Sequence, residues 1–329
     1  MVVAPSKSKH LSWLKTENQT ATPGVYVSLN QLVRYRFKAT GFSFLPKQPV
    51  HSILSGRHAS RIRGRGLSFE EIREYHFGDD IRAMDWRVTA RTLHPHIRVY
   101  SEERDRSCFF VVDQRINMFF GSVRDLKSVS ACHAAALGSW RSLGQGDRVG
   151  GCVFNDKKID TIKPLQSEHR LHRLLNVMVS FNHDLHVNQK TNSNAKQLNN
   201  ALSLAIKELK HDGLCCIITD AFGFDEHTEQ LLDELSAKND VLWGLVVDPL
   251  EKRLPNSGHF VAGDATGQLH VQLSRKIQQQ FLQAAENRFH EIEARLQKRQ
   301  IPMLYLATDR PVENQIREQL GFVPKVPRR

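Results

Sequence analysis

Between residues 107 and 249 short apolar runs alternate with stretches of helical periodicity. The run SCFFVVDQ shows no polar–apolar alternation, which suits a strand buried on both faces. After it, Leu126, Val129, Ala131, Ala134, Leu137 and Trp140 form an apolar stripe, predicting a helix over about 124–143. DRVGGCVFND and KKIDTIKP read as strands joined by a tight turn at Asn155–Asp156. Helices are predicted over 167–181 and 197–210, and GLCCIITDA and DVLWGLVVDP as buried strands flanking a helix over 226–238. This succession predicts an α/β fold with a doubly wound, mostly parallel sheet.

Further on, HFVAGDATGQLHVQL predicts a hairpin turning at 264–267, and residues 274–299 a long amphipathic helix. PMLYLAT supplies a last strand and 311–320 a closing helix. Residues 1–106 lack this rhythm. A helix over 26–37 and a strand in PHIRVYSEERD are their regular features, and GFSFLPKQPV has the punctuation of a loop. The expected division is a smaller, irregular N-terminal module over 1–106 and an α/β domain over 107–329.

Composition fits a globular protein, at 40% hydrophobic and 25% charged. No apolar run is long enough for a transmembrane helix, and MVVAPSKSKHLSWLKTENQT lacks the apolar centre of a secretory signal. Cys108, Cys132, Cys152, Cys215 and Cys216 form no C-x-x-C pair and read as reduced core thiols, so a cytoplasmic location is expected. The net charge is +11, much of it near the ends in Lys7, Lys9, Lys15, Arg34, Arg36, Lys38, Lys47, Lys325, Arg328 and Arg329. A solvated surface, an acidic partner or peripheral contact with anionic lipid each accounts for it. Nucleic-acid binders interleave such charge with stacking aromatics, and that interleaving is missing here.

Ligands of open α/β sheets gather at the carboxyl ends of the strands. Asp113 follows FFVV, Asp220 follows CIIT and Asp248 follows LVV. Asp113 and Asp220 would converge from separate strands and, with hydroxyls and water, offer a hard oxygen site suited to magnesium. The plainer role for each is to cap the turn or helix that follows.

Residues 64–91, GRGLSFEEIREYHFGDDIRAMDWRVTAR, hold six carboxylates and five arginines. Charge this dense forms a defended network, because isolated buried charges are costly. Arg82, Asp85, Trp86 and Arg91 are expected to make a buried, hydrogen-bonded junction onto the sheet. The segment resembles the domain-of-unknown-function-58 family. The resemblance is carried by Gly64, Gly66, Phe69, Arg73, Tyr75, Gly78, Asp79, Asp80, Arg82, Asp85, Trp86, Ala90 and Arg91, and with the α/β pattern it covers roughly 50–320. It implies a von Willebrand factor A-like domain, whose adhesion-site metal is held by an Asp-x-Ser-x-Ser loop, a threonine and a further aspartate. It also implies partnership with a MoxR-type AAA+ ATPase in chaperone-like assembly or activation of client proteins.

The metal loop departs from that pattern. It reads DQRIN, with Arg115 and Asn117 where the serines belong. Lys196 falls at the threonine position, with Thr191 or Ser193 as substitutes if the loop is shifted. Arginine cannot coordinate a cation. The crevice of Asp113, Arg115, Asn117, Lys196 and Asp220 is therefore expected to be metal-free or to bind Mg2+ weakly through Asp113, Asn117 and Asp220. Arg115 would pair with Asp113 or Asp220, or else Arg115 and Lys196 would face a partner's carboxylate. His58, His76, His94 and His96 are irregularly spaced for a metal or a triad, and neither a G-x-S-x-G nor a Walker A motif occurs. The expected function is a non-enzymatic adaptor. The alternative is a metal-dependent hydrolase or phosphatase using Asp113 and Asp220 with Asp79 and Asp80.

Overall fold

The structure is a computed structural model, and it describes residues 23–42, 67–75, 81, 84–102, 106–186, 192–252, 259–264, 267–272 and 274–321. In chain order the elements begin with α1 (Leu29–Lys38), β1 (Leu67–Glu74), α2 (Trp86–Thr92), β2 (His96–Glu102) and β3 (Ser107–Asp113). Then come α3 (Lys127–Gly144), β4 (Arg148–Phe154), β5 (Ile159–Leu165), α4 (Glu168–His183) and α5 (Lys196–Glu208). β6 (Leu214–Thr219), α6 (Glu226–Ser236), β7 (Asp240–Val247) and α7 (Pro249–Lys252) follow. The series closes with β8 (His259–Asp264), β9 (Gly267–Gln272), α8 (Arg275–Lys298), β10 (Met303–Ala307) and α9 (Val312–Leu320). No described helix is long and apolar enough to cross a membrane.

Six strands form one sheet in the order β10-β7-β6-β3-β4-β5, parallel except for β5, which runs antiparallel to β4. The unbroken apolar run of β3 has two faces to satisfy. Cys108, Phe110 and Val112 enter the core shared with α1, α3, α4 and α9. Phe109 and Val111 enter the opposite core, lined by α5, α6 and α8. Burying each such side chain contributes roughly 1.5–3 kcal/mol, so the run fixes β3 at the centre. From β3 the chain winds outward through β4 and β5, then returns beside β3 as β6 and winds the other way. The carboxyl ends of β3 and β6 therefore flank the switch point, where such sheets open a crevice.

Helix starts follow local chemistry. α6 opens with a capping box: Thr228 N donates to Asp225 Oδ1 at 2.8 Å, and Asp225 N donates to Thr228 Oγ1 at 3.1 Å. Ser28, Ser167 and Ser274 cap α1, α4 and α8.

Among the described residues before 107, the segment around α1 packs on the α/β core. Val27, Leu32, Tyr35 and Phe42, in and around α1, are buried in the same core as α3 and α4. Trp140 Nε1 of α3 donates to Leu32 O at 3.0 Å, and Phe42 bridges to Gly321 after α9. The signature segment is different again. It forms the antiparallel pair β1–β2, with α2 between them. Neither β1 nor α2 was anticipated, because the density of charge hides their periodicity. The expected buried junction is also corrected. Asp85 is buried and caps α2, accepting from Arg87 N at 3.0 Å and Val88 N at 3.1 Å. Trp86, however, is 67% exposed and Arg91 is exposed. Gly64, Gly66, Gly78, Asp79, Asp80 and Arg82 lie outside the described residues.

Candidate functional site

At the end of β3 the chain turns so that Arg115 folds back onto Asp113. Both side chains are fully buried. Arg115 Nη2 is 2.6 Å from Asp113 Oδ2, Nε is 3.0 Å from Oδ1, and Arg115 N donates to Oδ1 at 2.9 Å. The adjacent strand adds Thr219, whose Oγ1 donates to Asp113 Oδ2 at 2.6 Å. Two further guanidinium protons reach backbone: one from Nη1 to Asn194 O at 3.2 Å and one from Nη2 to Phe222 O at 3.0 Å. Burial alone would lower the Arg115 pKa. Asp113, then Asp220 and Asp156, raise it instead, so the charge is held.

Asp220 is the second centre. Asn117 Nδ2 lies 2.7 Å from each of its oxygens, Lys127 Nζ is 2.8 Å from Oδ2, and Phe222 N donates to Oδ1 at 3.0 Å. Lys127 is 3% exposed and also contacts Glu251 Oε1 at 2.6 Å. Burial would raise the Asp220 pKa. Lys127, with Asn117 and Arg115, overrides that and holds the carboxyl far below its usual range. Lys127 is pushed up in turn: burial opposes its charge, and Asp220 and Glu251 outweigh burial.

Two further aspartates fasten the surrounding loops. Asp156, in the β4–β5 turn, accepts from Ile116 N and from Asn194 N, each at 2.8 Å. Asp248 accepts from Ser122 N, Ser122 Oγ, Leu250 N and Thr308 Oγ1, which outweigh burial and lower its pKa. After β6 the backbone bends sharply, with Ala221 at φ 60° and Gly223 at φ 78°. A Cβ on Gly223 would sit 2.7 Å from that of Ala195, so glycine is required twice over.

Asp113, Arg115, Asn117 and Asp220 thus meet in one crevice, while Asp248 acts as a loop cap. Lys196 does not join them. It is the exposed first residue of α5, and Ser193 occupies the inward position, donating from Oγ to Asn117 Oδ1 at 2.6 Å. Placing Lys196 at the threonine position is therefore corrected in favour of the shifted loop, because Asn194, tied to Asp156 and Arg115, sets the register. Thr191 lies outside the described residues. The option of an outward Arg115 is corrected too, since its side chain is wholly buried on Asp113.

Sequence reasoning missed Lys127, Asp156 and Thr219. Lys127 carried a signal: a cation in the first turn of a helix opposes the macrodipole and needs an external anion. His94 lies on the exposed turn before β2, and His96 is the half-buried first residue of that strand, its Nδ1 2.7 Å from His94 O. His58 and His76 lie outside the described residues. Among the described residues no group of three or more His, Cys, Asp or Glu side chains is arranged to hold a metal ion. The five cysteines are buried and free. Burial pushes the Cys108 thiol up to about 12 and raises the other four as well, so none is a ready nucleophile.

Residues 71–291 match the family described as protein of unknown function DUF58. The uncharacterised proteins Rv1480 of Mycobacterium tuberculosis and Mb1516 of Mycobacterium bovis are each 28% identical to this chain over 266 residues, covering 80% of it and 82% of their own length. Among solved structures, the conserved hypothetical protein BatB from Bacteroides thetaiotaomicron is similar with a TM-score of 0.37 at 12% identity, covering 65% of this chain and 96% of its own. An aerotolerance-related membrane protein from Bacteroides fragilis gives a TM-score of 0.38 at 16% identity, covering 65% and 98%.

Proposed function

We propose, for a chain that belongs to the DUF58 family, a non-enzymatic role as an adaptor. It works with a MoxR-type AAA+ ATPase in the assembly or activation of client proteins. The observation that carries this reading is the self-neutralised crevice, with Arg115 engaged on Asp113 and Lys127 on Asp220.

Hydrolytic chemistry needs a base of suitable pKa or a metal-bound water. Asp220 and Asp248 are held low and already saturated with donors, which suits neither role. A magnesium ion at Asp113 would have to displace a bonded, permanently charged guanidinium, so Mg2+ is disfavoured. The chain has no Walker A motif, so any ATP chemistry resides in the partner. Five free buried cysteines suit a reducing, cytoplasmic setting.

The test is affinity recovery from native cytosol in ATP, in ADP and in EDTA. Nucleotide-dependent recovery of an AAA+ ATPase that survives EDTA is the expected result. Recovery lost in EDTA and restored by magnesium without nucleotide would return the metal to the crevice. No ATPase under any condition would sink the adaptor reading.

A further inference from the structure

The six-stranded sheet ends on one side at β5 and on the other at β10. An end strand leaves a row of backbone donors and acceptors open to another strand. β5 carries Lys163 and Pro164, a charge and a missing donor that discourage pairing. β10 has neither. Its sequence, MLYLA, is apolar and uncharged, a composition prone to adding a neighbouring strand. Trp243 N donates to Pro302 O at 2.9 Å and Thr308 N to Val247 O at 3.0 Å. The even-numbered residues of β10 therefore bond to β7, and Met303, Tyr305 and Ala307 turn their backbone groups outward.

Two side chains of α9 meet those outward groups. Tyr305 N donates to Gln319 Oε1 at 2.9 Å, and Gln319 Nε2 donates to Tyr305 O at 2.8 Å. Ala307 N donates to Gln315 Oε1 at 2.8 Å, and Gln315 Nε2 donates to Ala307 O at 2.8 Å. Each primary amide thus makes the double exchange that a hydrogen-bonded residue pair makes between antiparallel strands. The spacing fits, because two residues of strand rise roughly 6.6 Å and four of a helix roughly 6 Å. Gln315 is fully buried and also donates to Arg310 O at 2.9 Å, and Gln319 is half-buried. α9 is itself fastened to the end of α1. Arg317 donates from Nε to Thr40 O at 3.0 Å and from Nη2 to Lys38 O at 2.7 Å, and Lys38 Nζ is 2.8 Å from Glu313 Oε1.

We infer that Gln315 and Gln319 act as a side-chain strand that shuts the β10 edge, and that this closure keeps copies of the chain from pairing edge to edge. It is independent of any adaptor role. With both amides removed, the β10 strands of two copies meet about a two-fold axis as an antiparallel pair, satisfying the same outward groups.

The test is residue-resolved hydrogen exchange of the full-length protein, with light scattering over a concentration series. Methionine in place of glutamine keeps the side-chain length and removes both donor and acceptor. In the wild type, the Tyr305 and Ala307 amides should exchange as slowly as those of Leu304 and Leu306. Gln319→Met should speed exchange at Tyr305 by at least about tenfold while Ala307 stays slow. Gln315→Met/Gln319→Met should open both amides and self-associate with rising concentration beyond the wild type. A labelled peptide of sequence PMLYLAT should bind that double variant and not the wild type, and the same peptide with proline in place of its tyrosine should bind neither. Fast exchange at Tyr305 in the wild type, or equal acceleration along the whole of β10 in Gln319→Met, would overturn the closure. A folded double variant with open amides that neither self-associates nor takes the peptide would overturn its protective role. If the double variant does not fold, Gln319→Met decides through the same exchange comparison and peptide.

Discussion

Arg115 and Asp113 stand two residues apart at the end of β3 and neutralise each other with no exposure to solvent. Removing one member of such a pair leaves an unpaired buried charge, which costs about 3–5 kcal/mol. Asp113→Ala is expected to lower stability by that amount in chemical denaturation. A loss below about 1 kcal/mol would mean that Arg115 finds another anion.

The same pair sets the response to magnesium. The wild type is expected to show no shift of its thermal midpoint in millimolar Mg2+. Arg115→Ser, which places a hydroxyl where the guanidinium stood, is expected to gain a Mg2+-dependent rise through Asp113. A rise in the wild type that EDTA reverses would contradict the metal-free reading.

Lys127→Met strips Asp220 of its cation while keeping most of the apolar stem of the side chain. A loss of about 3–5 kcal/mol near neutral pH is expected, partly recovered by adding Asp220→Asn. Asp220 has a depressed folded pKa, so its contribution is present above the usual carboxylate range and fades as pH falls below it. The variant should therefore lose part of the wild type's acid-side slope, read from denaturation midpoints across pH.

His133 lies buried under α1, its ring 5.0 Å from that of Tyr35 and its Nδ1 3.9 Å from Asp125 Oδ2. Burial lowers its pKa from 6.5 to about 4 against the pull of Glu313, with Arg124 and Lys38 adding to the fall. The unfolded chain takes up the proton first, so stability is complete above pH 6.5 and declines towards pH 4. The full term is on the order of 3 kcal/mol. His133→Phe should flatten the stability profile across that window, and an unchanged profile would assign the slope elsewhere.

Asp156→Ala should leave the sheet intact but release two backbone amides, Ile116 and Asn194. A cost of about 1–3 kcal/mol is expected, with faster hydrogen exchange confined to those loops.

Much of this architecture was readable in advance because a strand buried on both faces has to be apolar throughout, as β3, β6 and β7 are. Asp113 and Asp220 were legible for a related reason, since polar residues ending such strands have only the crevice to face. Lys196 and Ser193 were not separable by spacing. The loop before α5 is positioned by Asn194, and a shift of three residues exchanges an inward hydroxyl for an outward ammonium. β1 and α2 were hidden by their charges, and the exposure of Trp86 reversed the burial its apolar ring suggested. Nothing in the spacing tied Lys127 to Asp220, ninety-three residues away along the chain.

The position of α1 has a consequence for the boundary of the cooperative unit. A shortened chain beginning at residue 107 would keep every strand of the six-stranded sheet and still be incomplete. It would lose the Leu32 carbonyl that receives the Trp140 indole, together with the buried side chains of Val27, Leu32, Tyr35 and Phe42. The face of α3 and α4 they cover would open to water, and the remainder is expected to melt lower and to self-associate through that face. The piece that folds together is thus defined in space, closing over a first segment that the intervening signature separates from it in sequence.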